Sequence, residues 1–329
     1  MVQHSKAGAT LCRPAGWLKW IMTIVTSSII AGRAQSVPGA TGISTNSAPS
    51  PSTVIPHHDA NLSQEKPLPD KSGYTLFNPT PDNLMREIGP DRPDKTDSPY
   101  SVDAGHFQLE MDYANFTYDS PNAQRDFKYE SYQIAPVNLR IGVLNNVDFQ
   151  LEMEPWTWQR IKDKTTGAVE TDAGFGDIIP RATINLLGND GGFFAIGLIP
   201  YVKLPTAEDN LGNGAYEGGV EFPYAFNVPN WDVGLQTAVA CNHDEVDDGH
   251  HADIANSISI GHAIFGPLEY HVEFFGDVST EKNSEWIGTV DTWFTYQVNE
   301  NMIIDSGVYI GVTAAADDWH PWIGMTWRY

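Results

Sequence analysis

The chain has only two cysteines among its 329 residues, Cys12 and Cys241. Cys12 lies in an N-terminal segment that has the pattern of a secretory signal peptide and is removed on export. One cysteine then remains, which excludes an intramolecular disulfide framework in an exported protein. Cys12 also precedes the apolar run of that segment, so it is badly placed for lipid attachment.

Basic residues are also scarce. The chain has 19 Lys and Arg against 42 Asp and Glu, a formal net charge of −23. The predicted signal peptide contains four bases and no acid, so its removal takes the charge to −23 − 4 = −27. Nucleic-acid binding needs a basic footprint, and this balance argues against nucleic acid as a partner.

Long hydrophobic runs are limited to one, at residues 20–30, and the mean hydropathy is −0.31. That run follows Lys6, Arg13 and Lys19 and is shorter than the roughly 20 residues of a membrane-spanning helix. It therefore predicts a signal peptide over residues 1–34, cleaved after Ala34. With no second apolar run, any membrane insertion of the mature chain must use strands.

A polar segment follows the signal peptide. Residues 35–98 are rich in Ser and Pro, and their low apolar content predicts a flexible periplasmic linker. One short helix is expected near residues 80–88, because Thr80 can cap it, Pro81 suits its first turn, and Gly89 with Pro90 ends it.

Residues 99–329 predict the folded domain. From Ala104 onward, apolar and polar residues alternate in about twelve segments separated by turn signals. These segments span residues 104–118, 127–144, 147–161, 174–187, 192–205, 214–228, 230–243, 251–265, 267–279, 285–297, 300–313 and 319–329. Short turns alternate with longer polar loops, as in outer-membrane barrels. The fold class is all-β, with a closed antiparallel up-and-down transmembrane β-barrel of about twelve strands.

The last strand supports closure of the barrel. Ile323, Met325, Trp327 and Tyr329 fall on one face with a period of two. Pairing this strand with the first removes both sheet edges. An aromatic terminus is typical of bacterial outer-membrane barrels, which implies the barrel-assembly machinery as a partner through this strand. A soluble sandwich is the alternative.

Alternation alone does not decide which face points inward. Leu139 and Leu151 alternate with Arg140 and Glu152, and either set fits a barrel interior. The signal peptide, the aromatic terminus and the strand lengths favour apolar side chains outward, toward lipid. The aromatics near the strand ends then form a membrane girdle. They are Trp156, Trp158, Tyr201, Trp231, Tyr270, Trp286, Tyr296, Trp319 and Trp327.

Three motifs carry a family resemblance. The stretch 91–100 begins Asp-Arg-Pro-Asp-Lys-Thr, residues 105–110 read Gly-His-Phe-Gln-Leu-Glu, and residues 174–177 read Gly-Phe-Gly-Asp. Over residues 91–329 the chain resembles the outer-membrane protein family named after the MetA pathway of phenol degradation. The resemblance implies a transport-type barrel for aromatic or other small hydrophobic compounds.

With apolar side chains outward, a polar set faces the lumen and is predicted to line a pore. A twelve-stranded barrel is intermediate between a filled interior and an open channel, and a narrow or gated pore is favoured over a plugged one. The predicted lining residues are His106, Gln108, Glu110, Asp112, Arg140, Glu152, Asp177, Arg181, Lys203, Glu269, His271, Glu273, Asp291, Asp305 and Arg328.

One loop concentrates metal-ligand residue types: His243, Asp244, Asp247, His250 and His251. Imidazole and carboxylate groups together can hold a divalent metal. A solvated acidic loop is the alternative, because the spacing matches no fixed metal motif.

No catalytic motif is present, and the chain is not expected to be an enzyme or to need a cofactor. Ser279 and Ser284 lie near a loop with His271 one strand away, but no nucleophile elbow surrounds them. The expected function is an outer-membrane channel for small solutes, with lipid and solute as partners. A structural or adhesive barrel and a barrel hydrolase are the alternatives.

Overall fold

The computed structural model describes residues 69–123, 125–208, 210–244 and 249–329. The predicted signal peptide and residues 35–68 of the predicted linker lie outside the described residues. Asp247 of the predicted metal loop does too. No helix in the described part of the chain is long and apolar enough to cross a membrane.

The described residues form fifteen strands in one sheet. They are β1 (Phe107–Asp119), β2 (Phe127–Ile134), β3 (Val137–Leu144), β4 (Val147–Met153), β5 (Trp156–Asp163), β6 (Val169–Gly174), β7 (Ile178–Leu187), β8 (Phe194–Lys203), β9 (Glu217–Val228), β10 (Trp231–His243), β11 (His250–Phe265), β12 (Leu268–Ser279), β13 (Ile287–Asn299), β14 (Met302–Gly311) and β15 (Trp319–Arg328). The pairs β2 with β3, β4 with β5 and β6 with β7 each fill one position in the wall. The described strands thus occupy the twelve predicted positions.

The last strand closes the wall on the first. β15 pairs antiparallel with β1, and Leu109 lies opposite Trp327. The amide of Phe107 donates to the carbonyl of Tyr329 at 2.9 Å, and that of Tyr329 donates back at 2.8 Å. The predicted closed barrel and the predicted pairing of the terminal strand are confirmed.

Three neighbouring positions in the wall are interrupted, where the sequence predicted continuous strands. The interruptions fall at Ala135 with Pro136, at Glu154 with Pro155, and at residues 175–177. Proline has no amide hydrogen to donate to the ladder, and Ala135 takes a φ of +56°. β1 therefore pairs with β3 along its first half and with β2 along its second.

In the structure the apolar face of the strands points outward. Leu139 is 43% exposed, whereas Arg140 beside it is 1% exposed and Asp148 is fully buried. Of the nine aromatics predicted for the girdle, six are exposed: Trp156, Trp231, Trp286, Tyr296, Trp319 and Trp327. Trp158 and Tyr270 are half-buried and share the outer face with Tyr132 and Phe294, their partners in the register. Tyr201 points inward, where it shares a cavity with Glu221.

The start of β1 and the end of β15 identify the two rims. Phe107 and Tyr329 meet at the same rim as the short turns at 145–146 and 266–267. The longer connections, such as 204–216 and 280–286, lie at the other rim. In outer-membrane barrels the short turns are periplasmic and the long loops extracellular, and we name the rims accordingly.

Candidate functional site: a plug inside the barrel

Residues 79–104 lie inside the barrel, and we call them the plug. Its base is tied where Thr80 donates its amide to the carbonyl of Ala104 at 2.9 Å. The prediction of a flexible periplasmic linker reaching residue 98 is therefore wrong for this part. The expected helix at 80–88 shrinks to a 3-10 turn at Asp82–Leu84. The flexible linker was predicted from the low apolar content of this segment. The plug is instead held in place by ion pairs and hydrogen bonds, which apolar content does not report.

Residues 91–97 form the tip of the plug, and Arg92 begins its attachment to the wall. The Arg92 guanidinium bonds the carboxylate of Asp112 on β1. It also bonds that of Asp305 on β14 at 2.6 Å. One plug residue thus joins the two strands that flank the closing strand.

Lys95 extends the attachment to the next strands. Its ammonium lies 2.7 Å from the Asp291 carboxylate on β13. Its backbone amide donates to Glu273 on β12 at 3.0 Å. Both carboxylates are fully buried, and burying a charge without a partner is costly. Lys95 therefore stabilises the wall as well as the plug.

Thr96 and Asp97 reach the remaining wall. The Thr96 hydroxyl lies 2.6 Å from that of Ser257 on β11. Asp97 pairs with Arg181 on β7 at 2.7 Å. The Asp97 amide donates to Gln236 on β10 at 2.8 Å. The tip is therefore bonded to strands around much of the lumen.

Arg140 on β3 is the central charge below the tip. Its guanidinium lies 2.8 Å from Asp148 and 3.0 Å from both Glu110 and the plug residue Asp91. It also donates to the plug carbonyl of Tyr100 at 2.9 Å. A planar guanidinium with several donors suits this multiple pairing. Removing it would leave three buried carboxylates without their shared cation.

A second set of ion pairs holds the plug at the periplasmic rim. Arg86 lies 3.3 Å from Asp103 and 2.9 Å from Asp190. Lys71, just before the plug, lies 2.7 Å from the same Asp190. The plug is thus attached at its base, its middle and its tip.

A cavity of about 520 Å³ lies against the tip, toward the extracellular rim. Nine acidic and four basic residues line it. The acids are Asp91, Asp94, Asp97, Glu110, Asp112, Glu152, Glu154, Asp177 and Glu221, and the bases are Arg92, Lys95, Arg181 and Lys203. Apolar residues also contribute to the lining: Met111, Val137, Met153, Ile179 and Leu211. Of the strand residues among them, Ile179 lies on the inward face, opposite Glu152. The space combines some apolar surface with an excess of negative charge.

Asp94 belongs to the plug tip and faces this interior. Removal from bulk water raises the pKa of Asp94, and the neighbouring Glu273 carboxylate raises it further. A hydrogen bond with Ser259 acts in the opposite direction. The plugged arrangement therefore favours the protonated form of this side chain.

Aromatic rings also face the lumen, which sequence reasoning missed. The rings of Tyr309 and Trp322 lie 4.2 Å apart, and His271 stacks on Trp293 at 5.0 Å. Trp293 and Trp322 are buried. Most aromatic residues were assigned to the outer girdle from the sequence, so these lumenal rings were not predicted. The position of Trp322 on the polar face of the last strand was the one available signal.

The structure places the predicted pore-lining residues in three groups. The first contacts the plug: His106, Gln108, Glu110, Asp112, Arg140, Arg181, Glu273, Asp291, Asp305 and Arg328. The second, Glu152, Asp177 and Lys203, lines the cavity. The third, Glu269 and His271, lies apart from the tip on β12, with 3.6 Å between the two side chains.

The predicted metal residues separate into two sets. Asp244 and His251 lie 2.8 Å apart. Glu281 joins them, and one ligand atom from each of the three lies within 4.8 Å of the others. His243 and His250 instead pack against each other edge to face. The sequence missed Glu281 because it belongs to a different loop.

The residues considered for hydrolysis are not arranged as a catalytic set. Ser284 donates its hydroxyl to the carbonyls of Ser279 and Glu281. The Ser279 hydroxyl accepts the amide of Glu281 at 3.1 Å. His271 stacks in the lumen on Trp293.

A family model described as "Putative MetA-pathway of phenol degradation" matches residues 90–329. The chain belongs to this family. The match begins at the plug tip and includes the whole barrel. No curated protein matches the chain.

Several solved structures resemble the barrel. An outer membrane channel from Pseudomonas putida F1 is 11% identical and covers 68% of this chain and 94% of that chain, with a TM-score of 0.49. The β domain of the Bordetella autotransporter BrkA is 10% identical and covers 68% and 99%, with a TM-score of 0.43. An anion-selective porin from Comamonas acidovorans is 8% identical and covers 68% and 99%, with a TM-score of 0.35. At these identities and TM-scores the likeness carries no argument about function.

The wall itself identifies the protein's location. A closed antiparallel barrel with an apolar outer face and a polar interior is the architecture that spans the outer membrane. This chain has that architecture. The protein is an outer-membrane β-barrel.

Proposed function

We propose that the protein is a gated channel for small solutes and that the plug is its gate. The observation that carries this proposal is the attachment of the tip by Arg92, Lys95 and Asp97 across the lumen. These bonds are between polar groups, and water entering the lumen can replace them. In a plug held by apolar packing, water could not replace the contacts in this way.

The solutes we propose are small compounds with an apolar body, including aromatic ones. The cavity of about 520 Å³ has the size of a small-molecule site. The inward Ile179, the loop residue Leu211 and the lumenal rings of Tyr309 and Trp322 offer contacts to such a body. The family description, which refers to phenol degradation, is consistent with this class.

A disulfide between plug and wall tests the gate. Thr96→Cys with Ser257→Cys places two sulfurs where oxygens lie 2.6 Å apart. The background carries Cys12→Ala and Cys241→Ala. In planar bilayers the oxidised form should stay closed, and reduction should restore wild-type conductance and solute flux. Equal conductance of the oxidised and reduced forms would contradict gating by the plug.

The same recordings and an assay of lipid and ester cleavage separate the alternatives. A structural or adhesive barrel would show no conductance and no flux of phenol-sized solutes in either redox state. A barrel hydrolase would cleave lipid or ester substrates under the same conditions, and we expect no such cleavage.

We also propose that Asp244, His251 and Glu281 hold a divalent cation at the extracellular rim. The convergence of one imidazole and two carboxylates supports this, and Zn²⁺ accepts such ligands. Calorimetric titration with Zn²⁺ should show binding that His251→Ala removes. His262→Ala, at the periplasmic end of β11, is the matched control. Equal binding by both variants would contradict the site.

A further inference from the structure

Three basic side chains stand together on the outer face of the barrel: Lys128, Arg160 and Lys162. Lys164 follows in the next turn. The other described bases lie elsewhere. Lys71, Arg86, Arg92 and Lys95 belong to the plug or its approach, Arg140, Arg181, Lys203 and Arg328 to the lumen, and Arg125 and Lys282 to loops. Within the described residues, this cluster therefore holds the outward-facing basic side chains of the wall.

The register places these side chains on the lipid-facing side. Tyr132 pairs with Trp158 and Ile134 with Trp156 across β2 and β5. Tyr132 is 48% exposed and Trp156 is 39% exposed. Residues at even numbers along both strands share this face, because side chains alternate. The basic cluster therefore continues the outer aromatic belt toward the extracellular rim.

Direct contacts join the cluster to that belt. The Lys128 ammonium lies 4.9 Å from the centre of the Tyr118 ring. Tyr118 stacks on Trp319 at 5.6 Å. Aromatic belts lie at the level of the lipid headgroups. Lys128 and its neighbours thus lie at or just beyond the headgroup level of the outer leaflet.

The cluster has more positive charge than it can neutralise internally. Lys128 lies directly opposite Lys162 in the register, and like charges in that position destabilise a sheet. Glu130 pairs with both Lys128, at 2.8 Å, and Arg160, at 2.9 Å. Lys162 and Lys164 have no ion-pair partner in the part of the chain that the structure describes. One carboxylate, that of Glu130, therefore pairs with two of the four cations.

We propose that this cluster binds the phosphate groups of a phosphorylated lipid in the outer leaflet. Phosphate accepts the fork of an arginine and the point charges of lysines. The rings of Tyr132, Trp158 and Trp319 offer contacts to the lipid beneath the phosphate. A chain with a net charge of −23 would otherwise repel an anionic leaflet. Because the cluster lies beside the aromatic belt, a lipid fits this site better than a free anion.

Native mass spectrometry of the full-length detergent-solubilised protein tests the proposal. The probe is lipid A with two phosphates, compared with its fully dephosphorylated form. Lys162→Gln with Lys164→Gln removes two exposed charges without breaking an ion pair, so assembly should be retained. Lys282→Gln, on another exposed loop, is the matched control. Each basic residue near an anionic surface contributes enough that losing two should weaken binding by about tenfold to thirtyfold.

The expected result is tight binding by wild type and Lys282→Gln, and weak binding by the double variant. Dephosphorylated lipid should bind all three proteins weakly. Equal affinity of wild type and the double variant for lipid A would overturn the proposal. Equal affinity of wild type for the two lipids would also overturn it, as would displacement of lipid A by millimolar inorganic phosphate, which would indicate a free-anion site.

Discussion

The two sides of the barrel wall differ in construction and in what they do. Strands β9 to β14 run unbroken, and we call them the continuous side; β2 to β7 are interrupted, and we call them the broken side. Most bonds to the plug tip come from the continuous side, through residues such as Glu273, Asp291 and Asp305. The cavity lies mainly against the broken side, beside Pro136, Glu154 and other lining residues.

The difference shows how one barrel can combine a fixed attachment with free space. Regular ladders hold inward carboxylates at defined positions, so the plug finds matched partners there. Interrupted ladders bend the wall and leave room beside the tip. The plug is therefore held on one side, while the solute-sized space opens on the other.

The largest expected effect comes from removing Arg140, the buried charge below the plug tip. Arg140→Ala leaves Asp91, Glu110 and Asp148 buried without their shared cation. We expect a loss of roughly 3–5 kcal/mol, the usual result of breaking a buried ion pair. The assembled fraction, measured by heat-modifiable mobility on gels, should fall sharply. Normal assembly would show that the carboxylates do not depend on Arg140.

A change on the opposite face of the same strand tests the orientation of the wall. Leu139→Arg places a charge against lipid, which costs roughly 2–4 kcal/mol near the midplane. Unfolding by urea in lipid vesicles should show this loss, and Leu139→Phe should show almost none. Equal stability of the two variants would contradict the apolar-outward assignment.

Much of this architecture could be predicted from sequence. The alternation around Leu139 and Trp327 gave the strand positions and the closing pair, because period two is a local property. The interruptions at Pro136 and Pro155 were also readable in principle, since proline weakens an assignment as a central strand. The plug could not be predicted from the sequence. Lys95 and its partner Asp291 lie 196 positions apart, and nothing local marks them as a pair.

The next-largest effect distinguishes the continuous side from the broken side by how mutations on each change the conductance. Asp291→Asn removes the charge that holds Lys95, whereas Glu154→Gln changes a cavity residue that bonds Thr157 and not the plug. A hydrogen bond to a charged group contributes about 1.5–3 kcal/mol. Open probability in planar bilayers should therefore rise about tenfold or more for Asp291→Asn. It should change little for Glu154→Gln, and the reverse ranking would assign the anchor to the broken side.

The smallest effect concerns pH. Burial raises the pKa of Asp94 in the plugged state, so protonation favours that state and its stability falls as pH rises through the raised pKa. Conductance should increase from acidic to alkaline pH in the wild type. Asp94→Asn, which keeps the side chain neutral, should reduce this dependence. An unchanged pH profile would show that Asp94 does not influence the plug.

The position of the plug tip can be tested most directly by disulfide formation in cells. In a background with Cys12→Ala and Cys241→Ala, Thr96→Cys is combined either with Ser257→Cys on the continuous side or with Glu154→Cys on the broken side. The structure predicts a high yield of disulfide with Ser257→Cys, seen as a shift that reduction reverses, and little with Glu154→Cys. Free thiols in the Ser257→Cys variant, or a higher yield with Glu154→Cys, would contradict a plug held against the continuous side.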